Sequence, residues 1–262
     1  MVEEMDLDDA WVLCRDVLEN GVPLNLTDEM RALLSRIAQQ VAISQQDAED
    51  ALRSHSTAMT LLREIHRRIG EGSNRLDEAR DRVNELQQQG DFDGAQQAMR
   101  DVLAVEVVPF YREQAERTLK KSAGLAEVLA TGRLNPNLPD RPQLAVIAQR
   151  LQRGHALEFT DNLRDLLRRT APTAAVSEAE TEEALKSLEG AEALMGMILS
   201  RFQDAQRRFL RAMFRMTSLR DSGDIEGARQ QMRDVLAVEV VPRFRQAAEQ
   251  QLKGLDSPPP KS

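Results

Sequence analysis

Three histidines, one cysteine and 43 acidic residues are the side chains of this 262-residue chain that could perform acid–base, nucleophilic or metal chemistry. Their spacing matches no known arrangement. The sequence has no phosphate-binding glycine loop, no HExxH or CxxC pair, and no Glu-x-x-His pair of the kind that binds two irons in helical bundles. We therefore predict no catalytic residue, no metal ligand, no cofactor and no enzymatic activity.

The chain contains one block of sequence twice. The segment from Met99 to Pro109 returns unchanged as Met232 to Pro242. The alignment that places Met99 on Met232, called the repeat alignment below, also places Gly90-Asp91 on Gly223-Asp224 without any slip of register. Each copy has the size of a small domain and is too long for the short repeat of a solenoid.

Internal comparison argues against chemistry at the reactive side chains. In the repeat alignment, the histidines and the cysteine all correspond to aliphatic residues, in the pairs His55 and Leu188, His66 and Leu199, His155 and Val22, and Cys14 and Ile147. A position that accepts an aliphatic side chain in the sister copy is typical of packing. We interpret Cys14 as a small core hydrophobe, because no histidine lies near it in sequence to activate its thiol.

Apolar or small residues recur at spacings of four and three along each copy, from Ala51 to Leu86 and from Ala184 to Leu219. This spacing is that of a coiled-coil seam. It predicts one helix of roughly 45 residues in each copy, about 65 Å long at 1.5 Å per residue. Ser44-x-x-Asp47 and Ser177-x-x-Glu180 resemble capping boxes at its start.

Gly90-Asp91 and Gly223-Asp224 predict a tight turn that returns the chain antiparallel to the long helix. The returning helix contains the duplicated segment, where Pro109 and Pro242 must kink or interrupt it because proline has no amide donor.

The predicted fold class is all-α, with two tandem helical-bundle repeats that each pair a long helix with an antiparallel return helix in a coiled-coil-like hairpin. The expected boundaries are residues 1–121 for the first repeat, 122–140 for a linker, 141–254 for the second repeat and 255–262 for a disordered tail.

Several stretches resemble a known family. They are residues 17–29 (VLENGVPLNLTDE), 42–52 (AISQQDAEDAL) and 90–95 (GDFDGA), together with the repeated segment. These stretches resemble the DUSAM domain, a paralogous family of unknown function described from myxobacteria. The resemblance covers both copies, with the second more diverged before Ser177. It implies a soluble bacterial protein, and it implies no activity, ligand or site residue.

The polar residues of the duplicated segment are the candidate interaction residues: Arg100, Asp101, Glu106, Arg233, Asp234 and Glu239. One interpretation is that they pair with arginines of the long helix, such as Arg75 and Arg208, and fix the register of the hairpin. The other is that they form a patch, presented twice, for a partner protein.

A second candidate is a basic face on the second copy, comprising Arg201, Arg207, Arg208, Arg211 and Arg215. The whole chain, however, has a formal net charge of −8, and residues 1–121 hold 15 basic and 24 acidic side chains. The acidic first copy could neutralise the basic face within the chain or in a dimer. An acidic chain repels polyanions, so the sequence disfavours nucleic acid as a partner.

The expected compartment is the cytoplasm. A single cysteine excludes an intrachain disulfide and suits a reducing environment. The first residues lack the basic and apolar regions of a signal peptide, and no apolar run approaches the ~18 residues of a membrane span.

The expected function is that of a non-catalytic interaction or adaptor protein, with a regulatory role as one option, that binds a protein partner or a second copy of itself. The alternative is a sensor, a helical bundle that binds a small ligand. A pocket between the helices with convergent polar groups would favour the sensor, and a solid core would favour the adaptor.

Overall fold

The structure, a computed structural model, describes residues 7–256. These residues form twelve α-helices and one short 3-10 helix, and no strand occurs among them. The chain divides into two compact units, residues 1–126 and 127–262, with the division falling inside one helix. The predicted all-α fold with a repeated helical organisation is confirmed.

The helices of the first repeat are α1 (Leu7–Leu18), α2 (Asp28–Gln40), α3 (Gln45–Ala51), α4 (His55–Gln89), α5 (Phe92–Val105) and α6 (Pro109–Thr131). Those of the second repeat are α7 (Asp140–Gln152), α8 (Asp161–Thr170), α9 (Glu178–Ala184), α10 (Leu188–Asp221), α11 (Ile225–Val238) and α12 (Pro242–Asp256), with the 3-10 helix Pro172–Ala174 between α8 and α9.

Four helix starts are capped in the same way in both repeats. The capping residues are Thr27 and Thr160, Ser44 and Ser177, Ser54 and Ser187, and Asp91 and Asp224. Each side-chain oxygen accepts a hydrogen bond from the backbone N–H three residues later, one of the donors that a helix start leaves unpaired. Ser177 also forms the predicted capping box with Glu180.

The long helix is shorter than the sequence predicts. The expected single helix of about 45 residues is wrong in both repeats, because it breaks between Ala51 and His55 and again between Ala184 and Leu188. The Thr57 hydroxyl donates to the Ala51 carbonyl at 2.5 Å, and the Ser54 hydroxyl oxygen accepts from the Thr57 N–H. These local bonds compete with the helical ladder and close a tight corner.

The apolar seam of α4 and α10 is the buried face that its spacing predicts. In α4 it comprises Ala58, Leu62, Ile65, Ile69, Leu76, Val83 and Leu86. In α10 it comprises Ala191, Met195, Ile198, Phe202, Ala205, Ala212 and Met216. Ala95, Met99 and Val102 of α5 belong to the same core cluster as the α4 seam. The cluster continues into α1 through Ala10 and Cys14.

The return segment is two helices of opposite direction, where the sequence predicts one helix interrupted or kinked by proline. The interruption is confirmed, since α5 ends at Val105 and α6 begins at Pro109. The turn at Gly90, with φ of 74°, makes α5 antiparallel to α4. Arg80 of α4 donates to Gln114 of α6, and further along both helices Gln87 donates to Ser122. Therefore α6 runs parallel to α4, a reversal that the sequence pattern does not predict.

The segment between the repeats, expected as a linker over residues 122–140, is partly helical. Helix α6 continues through residues 122–131, because Leu125 and Val128 are buried, and α7 begins at Asp140. Only residues 132–139 are not helical. At the end of the chain, Leu255 and Asp256 complete α12, and residues 257–262 of the expected tail lie outside the described residues.

Two glycines of α4 make room for aromatic rings. A Cβ atom at Gly72 would lie 2.4 Å from Cδ2 of Tyr111, and one at Gly70 would lie 2.9 Å from Trp11. The Trp11 ring in turn stacks on His66, with ring centroids 3.8 Å apart. Gly72 therefore sets how closely the start of α6 approaches α4.

We predict opposite effects of the same substitution at two helical glycines. Gly72→Ala should destabilise the fold by about 1–3 kcal/mol, because the Tyr111 ring must move out of its packed position. Gly196→Ala in α10 should raise stability by up to about 1 kcal/mol, since its Cβ meets no atom within 4 Å and alanine favours a helix interior. Urea denaturation of the two variants measures both changes. Equal shifts of the midpoint in the same direction would contradict the role given to Gly72.

Candidate functional site

Glu106 and Glu239 lie in the break between the two return helices and are buried, with side chains 1% and 0% exposed. Each forms an ion pair with an arginine of the long helix of its own repeat. The Arg75 guanidinium donates to Glu106 Oε2, and Arg208 Nη2 donates to Glu239 Oε2 at 3.1 Å. The predicted pairing with Arg75 and Arg208 is confirmed for these two residues.

Backbone donors satisfy the other oxygen of each buried carboxylate. Glu106 Oε1 accepts hydrogen bonds from the N–H groups of Val107 and Val108, at 2.9 and 2.8 Å. Glu239 Oε1 accepts from Val241 N–H at 2.8 Å. These amides immediately precede α6 and α12, where the helix dipole favours a negative charge. A carboxylate can remain buried here because charged and neutral donors replace its lost water.

A second arginine closes the same break from the other side. Arg112 Nη1 donates to the carbonyl oxygens of Leu103 and Glu106, both at 2.8 Å. In the second repeat, Arg245 Nη1 donates to the carbonyls of Leu236 and Glu239. These carbonyls end α5 and α11, so the arginines satisfy acceptors that a helix end leaves unpaired. Sequence reasoning missed Arg112 and Arg245, although the repeat alignment places one on the other.

Exposed valines surround the buried carboxylate in both repeats. Val105 and Val107 are 60% and 52% exposed, and Val238 and Val240 are 61% and 56% exposed. In the first repeat they border a cleft of about 210 Å³ that Arg68, Glu71 and Arg75 of α4 also line. The corresponding residues of the second repeat are Arg201, Asp204 and Arg208. We call these two sets of side chains the valine surfaces.

Each valine surface contains one arginine, Arg68 or Arg201, that binds the backbone of a turn in a strained conformation. Arg68 Nη1 donates to the carbonyls of Val41 and Ala42, and Arg201 Nη1 donates to those of Ala174 and Ala175. Ala42 and Ala175 have φ of 60° and 55°, a left-handed conformation that costs a non-glycine residue energy. Arg68 also donates to Glu64 of the same helix. The pKa of Glu64 is lowered to about 2, chiefly by its hydrogen bond from Arg67 and to a smaller extent by the one from Arg68. No pattern in the sequence predicts this second duplicated contact.

The other candidate residues of the duplicated segment are exposed on α5 and α11. Asp101 and Asp234 accept hydrogen bonds from Gln97 and Gln230 of their own helices, both at 2.8 Å. Arg100 donates to Gln96 and Gln97, and Arg233 pairs with Glu226 at 2.6 Å. These four residues therefore do not pair with the long helix, and that alternative is wrong for them. They remain candidates for contact with a partner.

The basic face expected on α10 divides between two roles. Arg201 and Arg208 make the contacts within the second repeat described above. Arg207 lies 3.9 Å from Asp204, and Arg211 and Arg215 are exposed. The exposed Leu210 and Phe214 lie on the neighbouring face of the helix. Arg207, Arg211 and Arg215, spaced four residues apart on α10, are therefore exposed along one face of the helix.

The reactive side chains occupy packing positions or the surface. His66 stacks on Trp11, and His55 is exposed at the start of α4. Cys14 is completely buried, and this burial raises the pKa of its thiol to about 12. Among residues 7–256, no group of His, Cys, Asp or Glu side chains could hold a metal ion. Within the same residues, no helix combines the length and the apolar character that crossing a membrane requires.

A larger cleft of about 710 Å³ lies in the first repeat, between α1, α4 and the start of α6. Its apolar wall includes Leu76, Pro109, Phe110 and Tyr111, and its polar wall includes Asp8, Ser73, Asp77, Arg80 and Gln114. Burial raises the pKa of Tyr111, whose hydroxyl is hydrogen-bonded to Ser73 and lies in the field of Asp8, Glu106 and Asp77. No pattern in the sequence indicates a site at these cleft residues.

The fold and these contacts define a tandem all-α repeat protein whose two repeats share the same buried ion pair. A family model described as "Protein of unknown function (DUF2379)" matches residues 5–122 and again residues 139–255. The chain therefore belongs to this family of unknown function and carries two copies of its domain. No curated protein and no solved structure matches the chain.

We predict that the buried carboxylate is a main stabilising group of its repeat. Glu106→Gln keeps the shape and the bonds to the valine amides but loses the charge that faces Arg75, so the free energy of unfolding should fall by about 1–3 kcal/mol. Glu113→Gln is the matched control, because Glu113 pairs with Arg117 on an exposed face. That change should cost about 0.5 kcal/mol or less. Urea denaturation compares them, and equal losses would argue against the buried pair.

We predict that Cys14 does not react in the folded protein. A buried thiol with a pKa of about 12 forms almost no thiolate at neutral pH, and thiolate is the reactive species. A colorimetric thiol reagent should label the native protein only at the rate of local unfolding and label the urea-unfolded chain at once. Because Cys14 is the only cysteine, the assay reports this residue alone. Fast labelling under native conditions would place the thiol at the surface.

Proposed function

We propose that the chain is a non-catalytic interaction or adaptor protein that presents the valine surface twice. One observation carries this proposal, namely that two large apolar side chains are more than half exposed beside a helix break in each repeat. Leaving valine in water is unfavourable, and exposed apolar groups ringed by polar residues often form binding sites. The repeat alignment pairs valine with valine at both positions.

The backbone that holds these valines is fixed from several directions. The carboxylate of Glu106 binds the amides that follow Val105, and Arg112 binds the carbonyls around it. Because the segment is already ordered, a partner would lose little conformational entropy on binding it. An ordered segment with exposed apolar side chains suits recognition of another protein.

The arginines beside the valines favour a partner that carries acidic side chains next to an apolar one. Arg68 and Arg75 are partly exposed at the edge of the surface in the first repeat. Opposite charges at the rim of an interface speed association and fix its register. A second copy of this chain is an alternative partner, since its formal net charge is −8.

The proposal extends to compartment and family. We place the protein in the cytoplasm, because its single cysteine is a buried free thiol and a reducing compartment preserves such a group. We also propose that the two family regions are DUSAM domains, on the strength of residues 17–29, 42–52 and 90–95 and the duplicated segment.

A second candidate function is a sensor in which the first repeat binds a small ligand. The observation that favours it is the cleft beside Tyr111, whose volume of about 710 Å³ falls in the range of ligand sites, about 300–1,000 Å³. The two functions are compatible, because the valine surface and the cleft lie near the same helix break but have no lining residue in common.

We predict that polar substitution of the valines abolishes partner binding without unfolding the protein. Val105→Ser with Val107→Ser should weaken capture of a partner, and the further changes Val238→Ser and Val240→Ser should remove it, because each repeat then lacks its apolar contact. Affinity capture followed by mass spectrometry tests for other proteins. Sedimentation analysis of the purified chain tests for self-association.

The matched control replaces Val12 and Val22 with serine, since these valines are also exposed but belong to α1 and to the segment after it, and neither belongs to a valine surface. Thermal unfolding should show that all variants keep the stability of the parent to within about 0.5 kcal/mol per substitution. If the fourfold variant recovers the same partner, or the same dimer, as the parent protein, the valine surface is not the binding site.

A further inference from the structure

The cleft of the first repeat places two aromatic rings beside carboxylates that are not fully neutralised. Phe110 is about half exposed, at 49%, and its ring meets that of Tyr111 edge-on, with centroids 5.3 Å apart and planes at 74°. The two rings form a corner in the wall of the cleft. The faces of aromatic rings carry negative charge density and attract cations.

The carboxylates at this corner are not matched by bases. Asp77 lies 3.7 Å from Arg80, whose guanidinium also donates to Gln114 at 3.0 Å. Asp8 has no ion-pair partner in the part of the chain that the structure describes, although it acts electrostatically on the Tyr111 hydroxyl. The described lining of the cleft thus has two carboxylates and one guanidinium, a net charge of −1. A positive ligand would satisfy this field and an anion would be repelled.

The second repeat carries its own cations at the corresponding positions. In the repeat alignment, Asp8 corresponds to Arg141 and Phe110 to Arg243. The Arg141 guanidinium lies 4.2 Å from the ring centre of Phe202, and that of Arg243 lies 6.0 Å from the ring centre of Phe244, the counterpart of Tyr111. Where the second repeat places its own guanidinium groups against aromatic rings, the first repeat has one carboxylate, Asp8, and one aromatic ring, Phe110, in the lining of an open cleft.

We propose that the cleft beside Tyr111 is a binding site for a small organic cation, an ammonium group attached to an apolar body. This inference rests on the second candidate function and names its ligand class. The ammonium group lies against the corner formed by Phe110 and Tyr111, with Asp8 and Asp77 supplying the countercharge. The apolar body contacts Leu76 and Pro109, and the volume of about 710 Å³ accommodates both parts.

The single tyrosine of the chain is a direct reporter of this site. Protein labelled with 13C in its tyrosine ring gives aromatic signals from Tyr111 alone, which can be followed by NMR during titration. The probe is choline, which carries a trimethylammonium group. The matched neutral and anionic probes are 3,3-dimethylbutan-1-ol and 3,3-dimethylbutanoate, which have the same branched apolar group. Choline should shift the Tyr111 signal saturably, and the other two should require at least about tenfold higher concentration.

Three variants assign the effect to the cleft. Asp8→Asn with Asp77→Asn should weaken choline binding at least about tenfold, because the countercharge is lost and Arg80 is left to repel the cation. Phe110→Arg introduces the residue of the second repeat and should abolish the saturable shift. Asp81→Asn is the control, since Asp81 is exposed on α4 and does not line the cleft, and it should leave the affinity unchanged.

Three outcomes would overturn the proposal in different ways. Binding of the neutral or anionic probe as tightly as choline would reject the cation while leaving a ligand site, and with it the second candidate function, in place. No saturable shift with any of the three probes would reject the site as well. An equal loss of affinity in the Asp81→Asn control would show that net charge alone, rather than this cleft, attracts the cation.

Discussion

A carboxylate buried at a helix break is the constraint on which each repeat depends. Glu106 can stay charged in the interior only if every oxygen has donors, and these come from Arg75 on α4 and from the first amides of the turn into α6. Satisfying it fixes three things together: where α5 ends, where α6 begins, and how far along α4 both lie. The valines on either side are exposed because the backbone conformation that brings the carboxylate inward turns them outward. Glu239 imposes the same arrangement on α11 and α12.

The parts of the fold that follow from local physics could be predicted from the sequence. The seam of α4, the caps at Thr27 and Ser177, and the interruption at Pro109 each depend on residues within a few turns of one another. The reversal of α6 depends instead on contacts between residues far apart in the chain, such as Arg80 with Gln114, which no periodicity encodes. The break before α4 was missed for another reason. The apolar spacing continues through it, and only the capping geometry of Ser54 decides against a continuous helix.

The candidate site could be predicted only in part, because side-chain type does not reveal which polar groups turn inward. Arg100, Asp101 and Glu106 recur together in both copies, yet only the glutamate is buried. It is the residue nearest the proline, where the helix must stop and free amides need an acceptor. This reasoning could have separated it from its neighbours. Arg68 and Arg112 are harder to predict, since their partners are backbone carbonyls and carry no side-chain signature.

Comparison of the two repeats distinguishes the residues that define the fold, which are the same in both, from the cleft residues, which differ. The buried glutamate, its two arginines and the left-handed alanine occur in both, so they define how the domain folds.

The cleft residues differ in charge and size between the copies, and Tyr111 contacts both the cleft and the helix break. Its ring packs on Gly72, where an added Cβ would also come within 3.2 Å of Glu106 Oε2. Tyr111 also lines the cleft. A ligand in the cleft would therefore contact Tyr111, the residue whose ring packs α6 against α4 close to the turn that carries the exposed valines. The first repeat thus has a physical route by which occupancy of the cleft could alter the valine surface. In the second repeat the counterparts of Tyr111 and Phe110 are Phe244 and Arg243, and the Arg243 guanidinium lies over the Phe244 ring in the place that a cationic ligand would take in the first repeat.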